Sequence, residues 1–115
     1  MRDALRQDQT LYSRIYPYLI MNIQTLHSEG KAVSAKSLFK GGEGNLTTIQ
    51  LLENSQLKEH ITKVPALLVC VVGKVVFNNE QGIKETLLPG DYINIEPMVK
   101  HWLDATLDSQ LLLFK

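Results

Sequence analysis

The chain has 115 residues, of which 44% are apolar and 21% are charged, which is the composition of one ordinary globular domain. Twelve basic residues balance twelve acidic residues, so the formal net charge is zero. A neutral chain has no excess of positive charge with which to displace counterions from DNA or RNA. The composition therefore predicts no nucleic-acid partner, while near-neutrality permits self-association.

The cysteine content and the hydrophobicity pattern favour a reducing, aqueous compartment. Cys70 is the one cysteine, so no disulfide can form within the chain. No apolar run reaches the length of a membrane-spanning helix, and the first nine residues carry mixed charge rather than the pattern of a secretory signal. We therefore expect a cytoplasmic protein without a membrane partner.

The N-terminal third has a helical pattern. Pro17 is suited to the first turn of a helix, and Gly30 is suited to its end. Apolar residues recur between them at helical spacing: Leu19, Ile20, Ile23 and Leu26. The sequence predicts a short amphipathic α-helix within an N-terminal extension over residues 1–34. His27 is then expected on the surface, close to the end of this helix.

From residue 35 onward the pattern is that of short β-strands separated by turns. The apolar or alternating runs fall at residues 37–39, 46–52, 57–62, 66–72, 74–77, 83–88, 92–95, 99–103 and 110–114. The run Ala66–Val72 is wholly apolar, which predicts a strand buried on both faces. This series of short strands with turns between them predicts an all-β sandwich or barrel over residues 35–115.

Several of these features occur in an order that resembles the single-domain, RmlC-like cupin family. The order is His60, the run Ala66–Val72, Gly73, the turn 89–91, Pro97 and His101. This resemblance covers residues 35–115 and implies an all-β cupin-type jelly-roll barrel, to which the N-terminal helix is an extension. Cupins are often dimeric, so the resemblance also implies a homodimer.

The resemblance allows the family's metal ligands to be compared with this chain. In the first family motif, two histidines are followed by a glutamate and a closing glycine. His60 matches the first histidine, whereas Thr62 stands in place of the second and Ala66 in place of the glutamate. His101 matches the histidine of the second motif. The chain therefore keeps two of the four usual ligands.

Two imidazoles form a weak and exchangeable metal site, because bound divalent ions normally take three or four protein ligands. We therefore expect no resident cofactor. The alternative is a divalent ion, Zn, Fe, Mn or Ni, on His60 and His101, with Glu96 as a speculative third ligand. Glu59 should point away from His60, since consecutive residues of a strand face opposite sides.

The residues at these positions also define a predicted ligand pocket inside the barrel, formed by His60, Thr62, Cys70 and His101. Cys70 lies in an apolar run, where an inert thiol is the expected state. Three functions stay open. The first is a small-molecule-binding cupin with a degenerate metal site and no robust catalysis. The second is a metal-dependent oxygenase or isomerase, and the third is a structural module that acts as a dimer.

Overall fold

A computed structural model describes residues 18–115, which form nine β-strands and one short 3₁₀ helix, Ile23–Leu26. The strands are β1 (Val33–Lys40), β2 (Asn45–Leu51), β3 (Gln56–His60), β4 (Ala66–Val72), β5 (Val75–Asn79), β6 (Lys84–Leu87), β7 (Tyr92–Ile95), β8 (His101–Ala105) and β9 (Ser109–Phe114). The all-β prediction is confirmed. Among the described residues, no helix is long and apolar enough to span a membrane.

The strands form two antiparallel sheets. The five-stranded sheet has the order β1-β2-β9-β4-β7, and the four-stranded sheet has the order β3-β8-β5-β6. The last strand, β9, lies between β2 and β4, and β8 lies between β3 and β5. Late strands are therefore inserted between early ones in both sheets, and the fold depends on pairings between distant parts of the sequence.

The core lies between the sheets and is formed by the alternating side chains that face inward. Its buried members include Ile49, Leu51, Leu68, Val75, Phe77, Leu103 and Leu111. β4 contributes one fully buried row to this core: Ala66, Leu68 and Cys70. Its other face is less well covered, since Leu67 and Val69 are half-buried and Val71 is exposed. The prediction that both faces of β4 are buried is therefore correct for the inner face only.

The predicted N-terminal α-helix is wrong for the residues that the structure describes. The 3₁₀ helix Ile23–Leu26 is a single turn, begun by Asn22, whose side-chain oxygen accepts a hydrogen bond from the Gln24 amide at 2.9 Å. His27 follows with an extended backbone, which ends the helix. Residues 1–17 of the predicted extension lie outside the described residues. β1 begins at Val33, close to the predicted boundary at residue 35.

Hydrogen bonds to the outer face of the five-stranded sheet explain why this segment does not form the predicted α-helix. His27 is only 8% exposed, and its ring nitrogens lie 2.8 Å from Ser34 Oγ and 3.3 Å from Thr48 Oγ1. Gln50 Nε2 donates to the Lys31 carbonyl at 3.1 Å. These contacts hold the segment against the sheet, so tertiary contacts override the local helical periodicity. His27 is therefore buried, contrary to the prediction of a surface position.

Candidate functional site

The pairing of β3 with β8 brings the two predicted site histidines into contact. His60 and His101 are partners in the register of these strands. Their ring centroids are 4.1 Å apart, and the ring planes meet at 60°, which is an edge-to-face arrangement. The register shifts between Leu57 and His60, which marks an irregularity in β3 just before the histidine. Two positions 41 residues apart in the sequence thus form one imidazole pair.

Backbone carbonyls determine which nitrogen of each ring carries the proton. His101 Nδ1 lies 3.2 Å from the Val99 carbonyl oxygen, and His60 Nδ1 lies 2.9 Å from the Lys58 carbonyl oxygen. A carbonyl can only accept, so each Nδ1 must donate. In the neutral ring the lone pair is then on Nε2. Each imidazole therefore presents a hydrogen-bond acceptor, or a metal-ligating nitrogen, at Nε2.

His101 is the more buried of the pair. Its side chain is 2% exposed, and the Phe77 ring stacks on it with a centroid distance of 5.8 Å. Burial lowers the pKa of the His101 imidazole, as do the nearby His60 and Lys115, whereas the Val99 carbonyl acts in the opposite direction. Burial thus favours the neutral form of the His101 imidazole, and the contacts with His60, Phe77 and the Val99 carbonyl fix the position of its ring.

His101 lines a pocket of about 260 Å³ between the two sheets, which we call the mouth pocket. It lies where β5 and β7 end and β8 begins, together with the loops that connect these strands. Its lining is Phe77, Asn79, Gln81, Ile83, Ile93, Asn94, Ile95, Glu96, Val99 and His101. Glu96, the speculative metal ligand, therefore lies in the same pocket as His101.

The other predicted pocket residues lie elsewhere. His60 contacts His101 but lines a separate groove with the other residues of β3 and with Val33. Thr62 is 3% exposed, and within residues 18–115 its hydroxyl has no hydrogen-bond partner. Cys70 is completely buried in the core, where burial raises the pKa of its thiol, as does the Asp91 carboxylate to a smaller extent. Of the predicted set, the mouth pocket contains only His101.

The described residues contain no group of three His, Cys, Asp or Glu side chains placed to hold a metal ion. His60 and His101 form a pair, and Glu96 on the pocket wall does not complete a three-ligand set with them. Glu59 pairs instead with Lys100, its carboxylate oxygen lying 3.6 Å from the Lys100 ammonium. Within residues 18–115, the two imidazoles are thus the metal-ligating groups that lie together.

Sequence reasoning did not find three carboxamide side chains that line the mouth pocket, those of Asn79, Gln81 and Asn94. The Asn79 side-chain oxygen accepts hydrogen bonds from the backbone amides of Gln81 at 2.9 Å and Ile83 at 3.1 Å, and so shapes the β5–β6 turn. Asn94 reaches the pocket from β7, in the other sheet. The sequence contains a turn signal at residues 78–82, but nothing in it shows that this turn faces Asn94.

No family model and no curated protein matches the sequence. Solved structures do match the fold. A cupin superfamily protein from Desulfitobacterium hafniense has a TM-score of 0.73 at 12% identity, over 84% of this chain and 87% of that chain. An RmlC-like cupin from Shewanella frigidimarina has a TM-score of 0.67 at 18% identity, over 76% and 78%. KdgF from Halomonas sp. has a TM-score of 0.66 at 19% identity, over 76% and 82%.

At these identities the likeness concerns the fold and not the activity. It agrees with the two antiparallel sheets of the chain. The protein therefore has the cupin jelly-roll fold that its sequence motifs predicted.

Proposed function

We propose that the protein is a cytoplasmic, cupin-fold module that binds a small molecule in the mouth pocket and lacks robust catalysis. The observation that carries this proposal is the position of His101 in a pocket that also contains carboxamides and an aliphatic wall. Ligand sites in proteins combine such apolar walls with a few polar groups that orient the ligand. The volume of about 260 Å³ restricts the ligand to a small molecule.

The arrangement of the histidines supports a binding role over metal-dependent catalysis. The alternative of a metal-dependent oxygenase or isomerase requires a divalent ion, and the described residues offer only His60 and His101 as a close pair. A site with two protein ligands holds metal weakly and leaves most of the coordination sphere to solvent. A metal on this pair would therefore be exchangeable rather than resident.

The packing of the interior argues against a purely structural module. Leu51, Cys70, Val75 and Leu111 are completely buried, so the deep interior is filled by the protein's own side chains. Side chains do not fill the space beside His101, where the mouth pocket of about 260 Å³ lies. A barrel that had only to be stable would gain further stability from apolar side chains in this space.

Two measurements on untagged protein purified without chelator test the proposal. Elemental analysis should find much less than one Zn, Fe, Mn or Ni per chain. A fragment screen followed by ¹⁵N–¹H NMR should find small molecules that shift the amide resonances of Asn94, Val99 and His101. One metal per chain would contradict the proposal and support the enzyme alternative. A screen without any shift at these amides would contradict ligand binding.

We further propose that the protein forms a homodimer through β1. This strand ends the five-stranded sheet, has eight residues and has no neighbouring strand on its free side among residues 18–115. Phe39 is 63% exposed near its end. An exposed edge of this length is a template for pairing with another copy. Light scattering after size exclusion should give twice the chain mass, and a monomer at high concentration would contradict the proposal.

A further inference from the structure

The polar groups of the mouth pocket are unequally divided between donors and acceptors. His101 Nε2 carries a lone pair because Nδ1 donates to the Val99 carbonyl. Glu96 contributes carboxylate oxygens, and its exposed side chain has no hydrogen bond or ion pair with another described residue. Both groups accept hydrogen bonds and cannot donate them in these protonation states. A bound group that pairs with either of these two side chains must therefore supply the proton.

The carboxamides add hydrogen-bond donors but no positive charge. The Asn79 side-chain oxygen is already used by two backbone amides of the β5–β6 turn, which leaves its amide nitrogen as a neutral donor. Gln81 and Asn94 can each donate or accept, so they adapt to the ligand rather than select it. No Lys or Arg is among the ten lining residues, and the one charged side chain is the acidic Glu96. The fixed charge of the lining is thus negative, and the Lys115 ammonium, which acts on the His101 imidazole, lies outside the lining.

The rest of the wall is aliphatic or aromatic. Ile83, Ile93, Ile95 and Val99 surround the space, and Phe77 lies behind His101. These side chains can cover a short hydrocarbon chain, and each methylene removed from water contributes about 0.8 kcal/mol to binding. The complementary molecule is therefore small, partly aliphatic and equipped with a hydrogen-bond donor.

We propose that the mouth pocket selects a small aliphatic ligand whose head group donates hydrogen bonds, an ammonium in preference to a hydroxyl, and that it rejects carboxylates. This inference rests on the proposed binding function and specifies its ligand class. An ammonium ion donates to His101 Nε2 and is attracted by Glu96. A hydroxyl group can donate to His101 without the charge attraction. A carboxylate faces a lone pair and a like charge.

The experiment compares three probes with one carbon skeleton: 3-methylbutylamine at pH 7, where it is a cation, 3-methylbutanol and 3-methylbutanoate. Each is titrated into full-length, metal-free protein, and the amide resonances of Asn94, Glu96 and His101 are followed by NMR. We expect the amine to bind most tightly, the alcohol more weakly, and the carboxylate to cause no shift at these amides.

Glu96→Gln tests the charge attraction. We expect this variant to weaken amine binding by about two- to fivefold, the range of exposed ion pairs, and to leave alcohol binding unchanged. Glu43→Gln is the matched control, because it removes the same charge from the exposed turn between β1 and β2 and should change neither affinity. Equal affinity of the amine for the Glu96→Gln variant and the unmodified protein would contradict the role of Glu96.

The outcomes separate this inference from the function on which it rests. If the carboxylate binds at the mouth as well as the amine does, the ligand class is wrong but the mouth pocket is still a binding site. If none of the three probes shifts the mouth amides, the proposed function fails and the inference fails with it. If the amine shifts only resonances outside the pocket, the assignment of the donor-binding site is overturned.

Discussion

Gly73, which ends β4, occupies a position where any side chain should be strongly destabilising. Its φ of +95° lies in the left-handed region, which costs an L-residue about 1–2 kcal/mol. A Cβ at this position would also overlap the Asp108 carbonyl and the Ser109 hydroxyl, and would approach Ser109 Cα to 2.7 Å. The backbone atoms cannot move aside without disturbing the start of β9.

The Ser109 hydroxyl is part of a small hydrogen-bond network. It accepts from the Lys74 amide at 3.0 Å and donates to the Leu107 carbonyl at 2.7 Å. Displacing it would break contacts that join the β4–β5 turn to the β8–β9 turn. Inserting a methyl group into a packed site costs about 1–3 kcal/mol. For Gly73→Ala we therefore expect a loss of about 2–5 kcal/mol in the free energy of unfolding.

Gly90→Ala is the matched control. Gly90 has a similar φ of +93°, but no atom lies within 4 Å of a Cβ at this position. The control should lose only the conformational part, about 1–2 kcal/mol. Urea unfolding of both variants, followed by circular dichroism at constant m-value, gives the two losses. Equal losses would refute the argument that close packing around Gly73 makes the glycine necessary.

Three further outcomes follow from burial. Burial lowers the pKa of His27, as do Lys36 and Lys31, and burial also lowers the pKa of His101, so the unfolded chain binds protons more readily than the folded chain. The free energy of unfolding should therefore be greatest above pH 6.5 and fall as the pH decreases toward 5. A free energy of unfolding that did not change over this pH range would contradict the prediction. The buried Cys70 thiol should react with a thiol reagent only after unfolding in urea, and prompt labelling of native protein would show that it is accessible. In a denaturant titration, Leu51→Ala should lower the free energy of unfolding by about 2–5 kcal/mol, whereas Val72→Ala, at an exposed position, should lower it much less. Similar losses for the two variants would contradict the position of Leu51 in the core.

The sequence predicted the strands well wherever the signal is local. Turn residues such as those at 89–91 divide the chain into short runs, and the apolar run Ala66–Val72 forms β4, whose inner face is buried. The prediction of an N-terminal α-helix was wrong because helical periodicity does not include the contacts of this segment with the five-stranded sheet. His27 bonds to Ser34 and Thr48, and such distant partners cannot be read from helical periodicity.

The candidate site likewise combines features that are visible in the sequence with features that depend on contacts between distant residues. Motif order singled out His60 and His101, and the resemblance assigned Thr62 and Ala66 to the positions of two further ligands. The edge-to-face contact of the two histidines depends on the register of β3 and β8.

By itself, the sequence determined the all-β class and the positions of most turns, because each depends on the chemistry of nearby residues. Tertiary structure alone decided that Asn79, Asn94 and Glu96 share a pocket with His101. These residues come from two sheets whose strands are not consecutive, and their distances depend on strand order and twist. Residue type indicates what a side chain can do, and the packing of the sheets decides what it does together with others.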